Sequence, residues 1–414
     1  MNFLQVFQGI GTLFEQDPRI AVGRLVFIGL GAMLVWLGNK RVLEPLIMVP
    51  MGFGMVAINA GMLFSLLVNV EGEAGEVINL TNIVINPLES TTSGLMSIMQ
   101  IDFLQPIYTL TFSNGLIACL VFMGIGVITD ISPVLRYPFT SMLIALCAEL
   151  GTILTFPAAI AMGFTPGEAA ATAIIGGADG PMVLFASLRL APEIFVPLTI
   201  VAYLYLSICY GVYPFLARFL IPKELRGKAI EAHHAENGKI SSKAKLLFDV
   251  IACAVLCLLF PVATPLFLSF FLGNAIKEIL EKHYADLLEK VFLYTATFFL
   301  GLLLGVLCDA GTLLGDPRVL KLLVLGFMAL IISAIGGIGG GYLVYAIRMK
   351  NYNPVVGLAG VSCVPTTAKV AQELAVEVNK KAFILQYAMG ANVCGVITTA
   401  ILTGLYVTLI LPYV

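Results

Sequence analysis

The chain has 414 residues, 59% of them hydrophobic and only 12% charged, with a mean hydropathy of +0.98. Soluble globular domains carry about 25% charged residues, so this composition leaves too little polar surface for a water-soluble fold and places the chain in a membrane. A formal net charge of −2 offers nothing that would attract nucleic acid.

The first 20 residues hold Glu15, Asp17 and Pro18. They lack the short apolar core and small-residue cleavage site of a secretory leader, so the chain is expected to insert directly. Apolar segments then fall at 22–38, 43–67, 106–129, 139–162, 168–190, 193–220, 246–271, 291–310, 319–347, 353–376 and 382–412. Most approach the roughly 20 residues needed to cross a hydrocarbon core of about 30 Å. Two are broken. Gly176-Gly-Ala-Asp-Gly-Pro181 interrupts segment 168–190. Segment 353–376 opens on Asn353-Pro354 and contains Gly357, Gly360, Ser362 and Pro365. Glycine and proline at membrane depth expose backbone that only protein or a wet cavity can satisfy.

The two halves echo each other. Phe122–Asp130 resembles Phe299–Asp309; Pro181 lies 51 residues after Asp130 and Pro365 lies 56 after Asp309. The predicted fold class is an all-α polytopic membrane protein of about 11 segments, transporter-like. It has two repeats of five segments, each with one broken or re-entrant helix. Residues 1–42 form an N-terminal segment and first helix, 43–220 the first repeat, 221–245 a polar basic loop and 246–414 the second repeat. Paired interrupted segments at matching positions point to a transporter's binding site.

Lys223, Arg226, Lys228, Lys239, Lys243 and Lys245 place the loop 221–245 in the cytoplasm. The stretch 68–105, with Glu71, Glu73, Glu76, Glu89 and Asp102, has no Lys or Arg. An odd number of segments per repeat makes the repeats inverted, the favoured arrangement. That arrangement puts Lys40-Arg41 and Arg348/Lys350 on the outer side; re-entrant breaks would make the count even.

Asp179 is the leading chemical candidate. An intramembrane carboxylate is costly and commonly marks an ion or proton path, although it can also cap a half-helix. Pro181 frees a carbonyl, and carbonyls with one carboxylate suit a hard cation. Asn353, Gly357 and Ser362 form the matching cluster of neutral oxygens. Asn392, in Met-Gly-Ala-Asn-Val-Cys-Gly, is either an ion ligand or an amide joining two helices. Tyr205 sits among Tyr203, Tyr210 and Tyr213 and is equally an interfacial anchor or a proton donor. For Lys369, snorkelling to the surface is favoured over anion binding. Asp130 and Asp309 are read as helix-end groups, and Glu149 receives no role. The eight cysteines are read as small buried hydrophobes. The histidines have no metal partner, and the Gly336–Gly341 cluster is read as close helix packing. No phosphate-binding glycine loop supports ATP-driven pumping.

Four runs carry a resemblance: Ile175–Pro181, Val201–Tyr205, Asn353–Ser362 and Ala388–Val393. In that order they resemble the β subunit of the sodium-translocating, biotin-dependent decarboxylases, a family with oxaloacetate, methylmalonyl-CoA and glutaconyl-CoA branches. The likeness runs from about residue 43 to the end. It implies a membrane subunit that decarboxylates carboxybiotin and exports Na⁺ while consuming a proton. Asp179, Asn353, Gly357, Ser362 and Asn392 would hold Na⁺, and Tyr205 would serve ion binding or proton delivery. Lys369 stands where arginine is common in the oxaloacetate branch, and there Lys369 and Ser362 would meet carboxybiotin. The implied partners are a biotin carrier subunit, a carboxyltransferase (α) subunit, a small membrane anchor, further copies of this chain and membrane lipid. The implied location is the cytoplasmic (inner) membrane. Phe103–Asp130, Cys147–Gly151 and Ile397–Ala400 look closest to the glutaconyl-CoA branch. A secondary sodium-coupled carboxylate transporter is the rival reading, since broken helices and an Asp/Asn/Ser site serve it equally well.

Overall fold

The computed structural model describes residues 10, 13, 17–40, 43–61, 104–112, 114–230, 240–279 and 282–413. The acidic stretch Glu71–Asp102, Arg41, Phe103, His233, His234 and Lys239 lie outside them. Every described element is helical. In chain order the main helices are α1 (Pro18–Asn39), α2 (Pro45–Ala60), α3 (Leu116–Ile128), α4 (Pro138–Ala148), α5 (Leu150–Ala161), α6 (Pro166–Ala173), α7 (Gly180–Leu190), α8 (Phe195–Leu220), α9 (Ser242–Leu259), α10 (Thr264–Ile279), α11 (Tyr294–Leu307), α12 (Arg318–Ile347), α13 (Thr366–Val378) and α14 (Leu385–Ile410).

Among the described residues, six stretches are long and apolar enough to cross a membrane: Pro18–Asn39, Pro138–Ala161, Pro261–Ile279, His283–Leu307, Arg318–Ile347 and Leu385–Tyr413. Large apolar side chains lie outward, Phe219 at 86% and Leu258 at 81% exposure, which suits a lipid solvent and not water. The chain is a multi-pass membrane protein.

Two runs differ from their sequence reading: 106–129 breaks at Asn114-Gly115 ahead of α3, and 246–271 divides in two. Residues 246–271, predicted as one segment, form two helices, α9 and α10, packed against each other. The break falls at Phe260-Pro261. Proline brings no N–H to continue α9 and pushes the preceding residue out of helical geometry; Phe260 has φ −131° and ψ 70°.

Two compact units emerge. In the one formed by Met1–Leu116 and Thr297–Leu320, α1 and α2 touch through Gly31 and Gly52. A Cβ on either glycine would strike the other's carbonyl oxygen, the close approach that small residues permit between membrane helices. Gly54, Gly301 and Gly305 bring α2 equally close to α11. Asn59 bolts the unit together: Nδ2 donates to the carbonyls of Met55 and Cys308, both at 2.8 Å, and Oδ1 accepts from Ala310 N at 3.0 Å. Arg24 Nε donates to the Asn59 carbonyl at 2.8 Å, and the charge of Asp309 acts on Arg24.

The unit formed by Ile117–Ala296 and Lys321–Val414 carries both broken segments. Its centre is α14, which packs on α4, α7, α13 and the 3-10 turn Pro354–Gly360. The glycine cluster of α12 serves close packing, as its spacing predicts. Gly337 and Gly341 sit against the backbone of Gly357 and Pro354, while Gly336 and Gly340 sit against Cys147.

Candidate functional site

The first break has a local cause at each residue. After α6, residues Ile174–Gly177 tighten into a 3-10 turn and Ala178 takes a left-handed conformation, φ 55°. Such a conformation costs an L-residue on the order of 1 kcal/mol or more, so the surroundings must hold it. Asp179 then caps α7: its Oδ1 accepts from Met182 N at 3.2 Å, with Pro181 in the first turn. The capping reading of Asp179 is thus met, and it engages the carboxylate through Oδ1. Its side chain is 4% exposed and borders a crevice lined by Ile175, Gly180, Val183, Ala202 and Leu330.

At the second break, Asn353 caps the 3-10 turn Pro354–Gly360 by accepting from Val355 N at 3.0 Å. Its Nδ2 donates to the carbonyls of Arg226 and Lys228 at 2.9 and 2.8 Å, tying the break to the basic loop. Gly357 lies against Gly337 so closely that a Cβ would overlap its carbonyl. These two predicted site residues thus carry out capping and packing. The chain runs on to Pro365, after which α13 begins.

The breaks meet at Ser362. Its backbone N–H and its hydroxyl both donate to the Gly177 carbonyl, at 3.1 and 2.5 Å. A carbonyl freed by the first break is thus satisfied by the second.

Helix α14 seals the junction with residues at helical spacing. Asn392 Nδ2 reaches the carbonyls of Ala359 and Val361 and the Thr367 hydroxyl, at 3.1, 3.0 and 3.0 Å. Facing three acceptors fixes the amide's orientation. Its Oδ1 is buried and accepts no hydrogen bond from any described residue. A Cβ on Gly395 would strike the Gly360 carbonyl, and one on Gly177 would strike Thr399.

Glu149, given no role from sequence, lies at this junction. It is 3% exposed and accepts from Thr152 Oγ1 at 2.7 Å, from Thr398 Oγ1 at 3.2 Å and from Thr399 Oγ1. Thr399 Oγ1 is in turn 3.5 Å from Ser362 Oγ. Glu149 and Asp179 are near enough for their charges to interact. Two carboxylates, the hydroxyls that bracket Glu149 and one amide oxygen with no donor among the described residues lie around this junction, and oxygen is the donor type of a hard cation.

Tyr205 and Lys369 lie to either side of this picture. Tyr205 hydroxyl donates to the Leu323 carbonyl at 2.6 Å, and Tyr213, on the same face, donates to Leu330 at 3.2 Å. Both phenols peg α8 to α12. Tyr203 points the other way. A Cβ on Gly180 would lie 2.8 Å from its hydroxyl, which is buried without a partner among the described residues. Its charge environment includes Asp179. Residues two apart on a helix face nearly opposite directions, so only one of this pair can meet α7. Lys369 is exposed on α13.

Asp130 behaves as a helix-end group. It accepts from Ser132 N at 2.9 Å and Ser132 Oγ at 2.7 Å, and it pairs with Lys245 at 3.1 Å. Partial burial pushes its carboxyl up, but Ser132 and Lys245 outweigh this and hold it below the usual range. The described cysteine side chains are all free thiols, with Cys308 and Cys394 buried.

The described residues thus form a multi-pass helical protein in which two broken segments meet at one carboxylate-bearing junction. The chain belongs to the family described as the Na⁺-transporting oxaloacetate decarboxylase beta subunit, which it matches over residues 23–410. It is 53% identical to the carboxybiotin decarboxylase of Malonomonas rubra over 407 residues, 98% of each chain. It is 31% identical to a probable oxaloacetate decarboxylase beta chain of Vibrio cholerae, covering 93% of this chain and 95% of that one. It is 30% identical to the methylmalonyl-CoA decarboxylase subunit beta of Veillonella parvula over 92% of each.

Proposed function

We propose that the chain is the membrane subunit of a sodium pump that decarboxylates carboxybiotin and couples that reaction to Na⁺ export. Family membership supports this over a sodium-coupled carboxylate symporter. The structural observation that carries it is the Ser362–Gly177 junction beside Asp179, which joins two broken helices at one oxygen-rich site.

In this proposal Asp179, Ser362 and the orphaned Oδ1 of Asn392 take Na⁺, the cargo. Asn353 and Gly357 hold the second break in shape and offer backbone oxygen to the ion path. Lys369, exposed at the start of α13, meets the carboxylate of the incoming carboxybiotin, with Ser362 deeper in. Lysine supplies a point charge there where arginine would supply a fork. Decarboxylation breaks the bond between the ureido nitrogen and the carboxylate carbon. The electron pair stays on nitrogen, CO₂ leaves, and one proton is taken up by the nitrogen. The phenols of α8 are the proposed proton route: Tyr203 beside Gly180, with Tyr205 held on Leu323. A water-poor site favours the step because the carboxylate loses its hydration.

The proposed assembly contains a biotin carrier subunit, a carboxyltransferase (α) subunit, a small membrane anchor and further copies of this chain. It sits in the cytoplasmic membrane with the loop 221–245 inside, as two repeats over 43–220 and 246–414, the second gaining a helix where 246–271 forms the α9–α10 hairpin. For the acyl substrate, glutaconyl-CoA is proposed from the stretches Phe103–Asp130, Cys147–Gly151 and Ile397–Ala400 alone. Co-purification tests the assignment: an avidin-reactive biotinylated subunit should accompany the chain, and the complex should decarboxylate faster with Na⁺. A chain that travels without a biotin protein and carries Na⁺ with a dicarboxylate would establish the symporter instead.

A further inference from the structure

The hairpin of α9 and α10 holds polar groups that the path above does not use. At its open end Lys245 Nζ lies 2.8 Å from Glu278 and 3.1 Å from Asp130. The helices run antiparallel, joined by the short turn at Pro261–Ala263. One turn inward from Lys245 on α9 is Asp249, and one turn inward from Glu278 on α10 is Asn274. One turn in from the Lys245–Glu278 pair on each antiparallel helix, Asp249 and Asn274 therefore stand at the same level of the hairpin. Both are 1% exposed. Neither carboxylate oxygen of Asp249 accepts a hydrogen bond from any described residue, and nor does Asn274 Oδ1.

The amide and the two lysines nearby donate to other groups. Asn274 Nδ2 donates to the carbonyls of Gly126 and Thr129, at 3.1 and 2.8 Å. That turns its oxygen away from those carbonyls. Lys245 is shared between Asp130 and Glu278, and Lys277 Nζ donates to the Thr129 carbonyl at 3.1 Å. A buried carboxylate left without hydrogen bond or ion pair is heavily penalised. A carboxylate and an amide oxygen that both lack donors instead suit a hard cation. One positive charge is enough, because the neighbouring acids already have Lys245. Asp249 is seven residues into α9, about 11 Å from its start at 1.5 Å per residue, on the side of the basic loop.

We propose that Asp249 and Asn274 form a second cation site, distinct from Asp179, that takes a hard monovalent cation of the kind this pump moves. The identity of the cation rests on the sodium-pump reading; the existence of the site does not.

Equilibrium binding of ²²Na⁺ to the purified full-length chain tests it, with monodispersity and helical content checked for each variant. Asp179→Asn should retain Na⁺ binding that Asp179→Asn/Asp249→Asn loses, and Asp249→Asn alone should lose one site per chain. Asn274→Ala, which removes one neutral ligand, should weaken the retained site about tenfold, or about 1.4 kcal/mol. If Asp179→Asn abolishes all binding, or Asp249→Asn binds as wild type does, the proposal fails and Asp249 holds at most a proton. If binding is lost in Asp249→Asn and unaffected in Asp179→Asn, this site stands and the Asp179 assignment falls. Should Asp249→Asn be unstable, an unchanged affinity in Asn274→Ala overturns the proposal on its own.

Discussion

At the first break the chain passes from a 3-10 turn through left-handed Ala178 into α7, and the capping group is the carboxylate of Asp179. At the second, the capping group is the neutral amide of Asn353. It stands before the 3-10 turn, and the hydroxyl that meets the other break, Ser362, lies after it. Pro181 and Pro365, at similar distances after Asp130 and Asp309, each stand at the start of a half-helix. The polar groups around them are not interchangeable. The first break supplies charge and a free carbonyl; the second supplies neutral donors that hold this carbonyl, with α14 as clasp. Charge is therefore concentrated on one side of the junction, and variants of the two breaks should fail differently.

The largest difference should come from Asp179→Asn. It keeps the shape and the cap but removes the charge, and should lower Na⁺-dependent decarboxylation by at least about 100-fold, roughly 2.7 kcal/mol. Thermal stability should change little. Gly395→Ala should do the reverse. Its Cβ meets the Gly360 carbonyl, so overpacking should cost about 1–3 kcal/mol of stability, read as a lower melting temperature in detergent. Wild-type melting for this variant would mean that α14 does not clamp the second break.

Asn392→Ala removes the amide that the carbonyls of Ala359 and Val361 share. With the orphaned oxygen lost as well, the Na⁺ concentration for half-maximal turnover should rise about tenfold, since an unmade buried hydrogen bond costs about 1–3 kcal/mol. The tyrosines divide next. Tyr203→Phe should slow turnover with its Na⁺ dependence kept. Tyr205→Phe, which loses a hydrogen bond to Leu323, should cost about 1 kcal/mol of stability. A turnover loss in Tyr205→Phe with none in Tyr203→Phe would move the proton route to Tyr205. Smallest of all, Arg218→Ala breaks an exposed ion pair with Glu377, 3.0 Å, between α8 and α13. It should stay within about 0.5 kcal/mol of wild type.

Much of this was legible in the sequence. Hydropathy located long apolar helices such as α1, α12 and α14, because lipid forces each crossing to be long and apolar. Gly-Pro punctuation located both breaks, because mid-membrane backbone cannot be left bare. What was lost depends on tertiary neighbours. Glu149 gained a setting only when Thr398 and Thr399 of α14 came against it. Tyr203 could be told from Tyr205 only once α7 and α12 were seen on opposite sides of α8, although their two-residue spacing already said that one of them must turn away. The α9–α10 hairpin was hidden because residues on both sides of Pro261 are apolar. Pro261 was the available signal, and Asp249 and Asn274 went unremarked with it.

The account rests on one Na⁺ site shared by both breaks, and a double-mutant cycle on ²²Na⁺ affinity tests that most directly. Asp179→Glu keeps the charge but displaces it, and Ser362→Ala cuts the bond to Gly177. If the breaks form one site, the double variant should depart from the product of the single effects by at least about fivefold, a coupling near 1 kcal/mol. Strict additivity of the two effects would contradict a shared site.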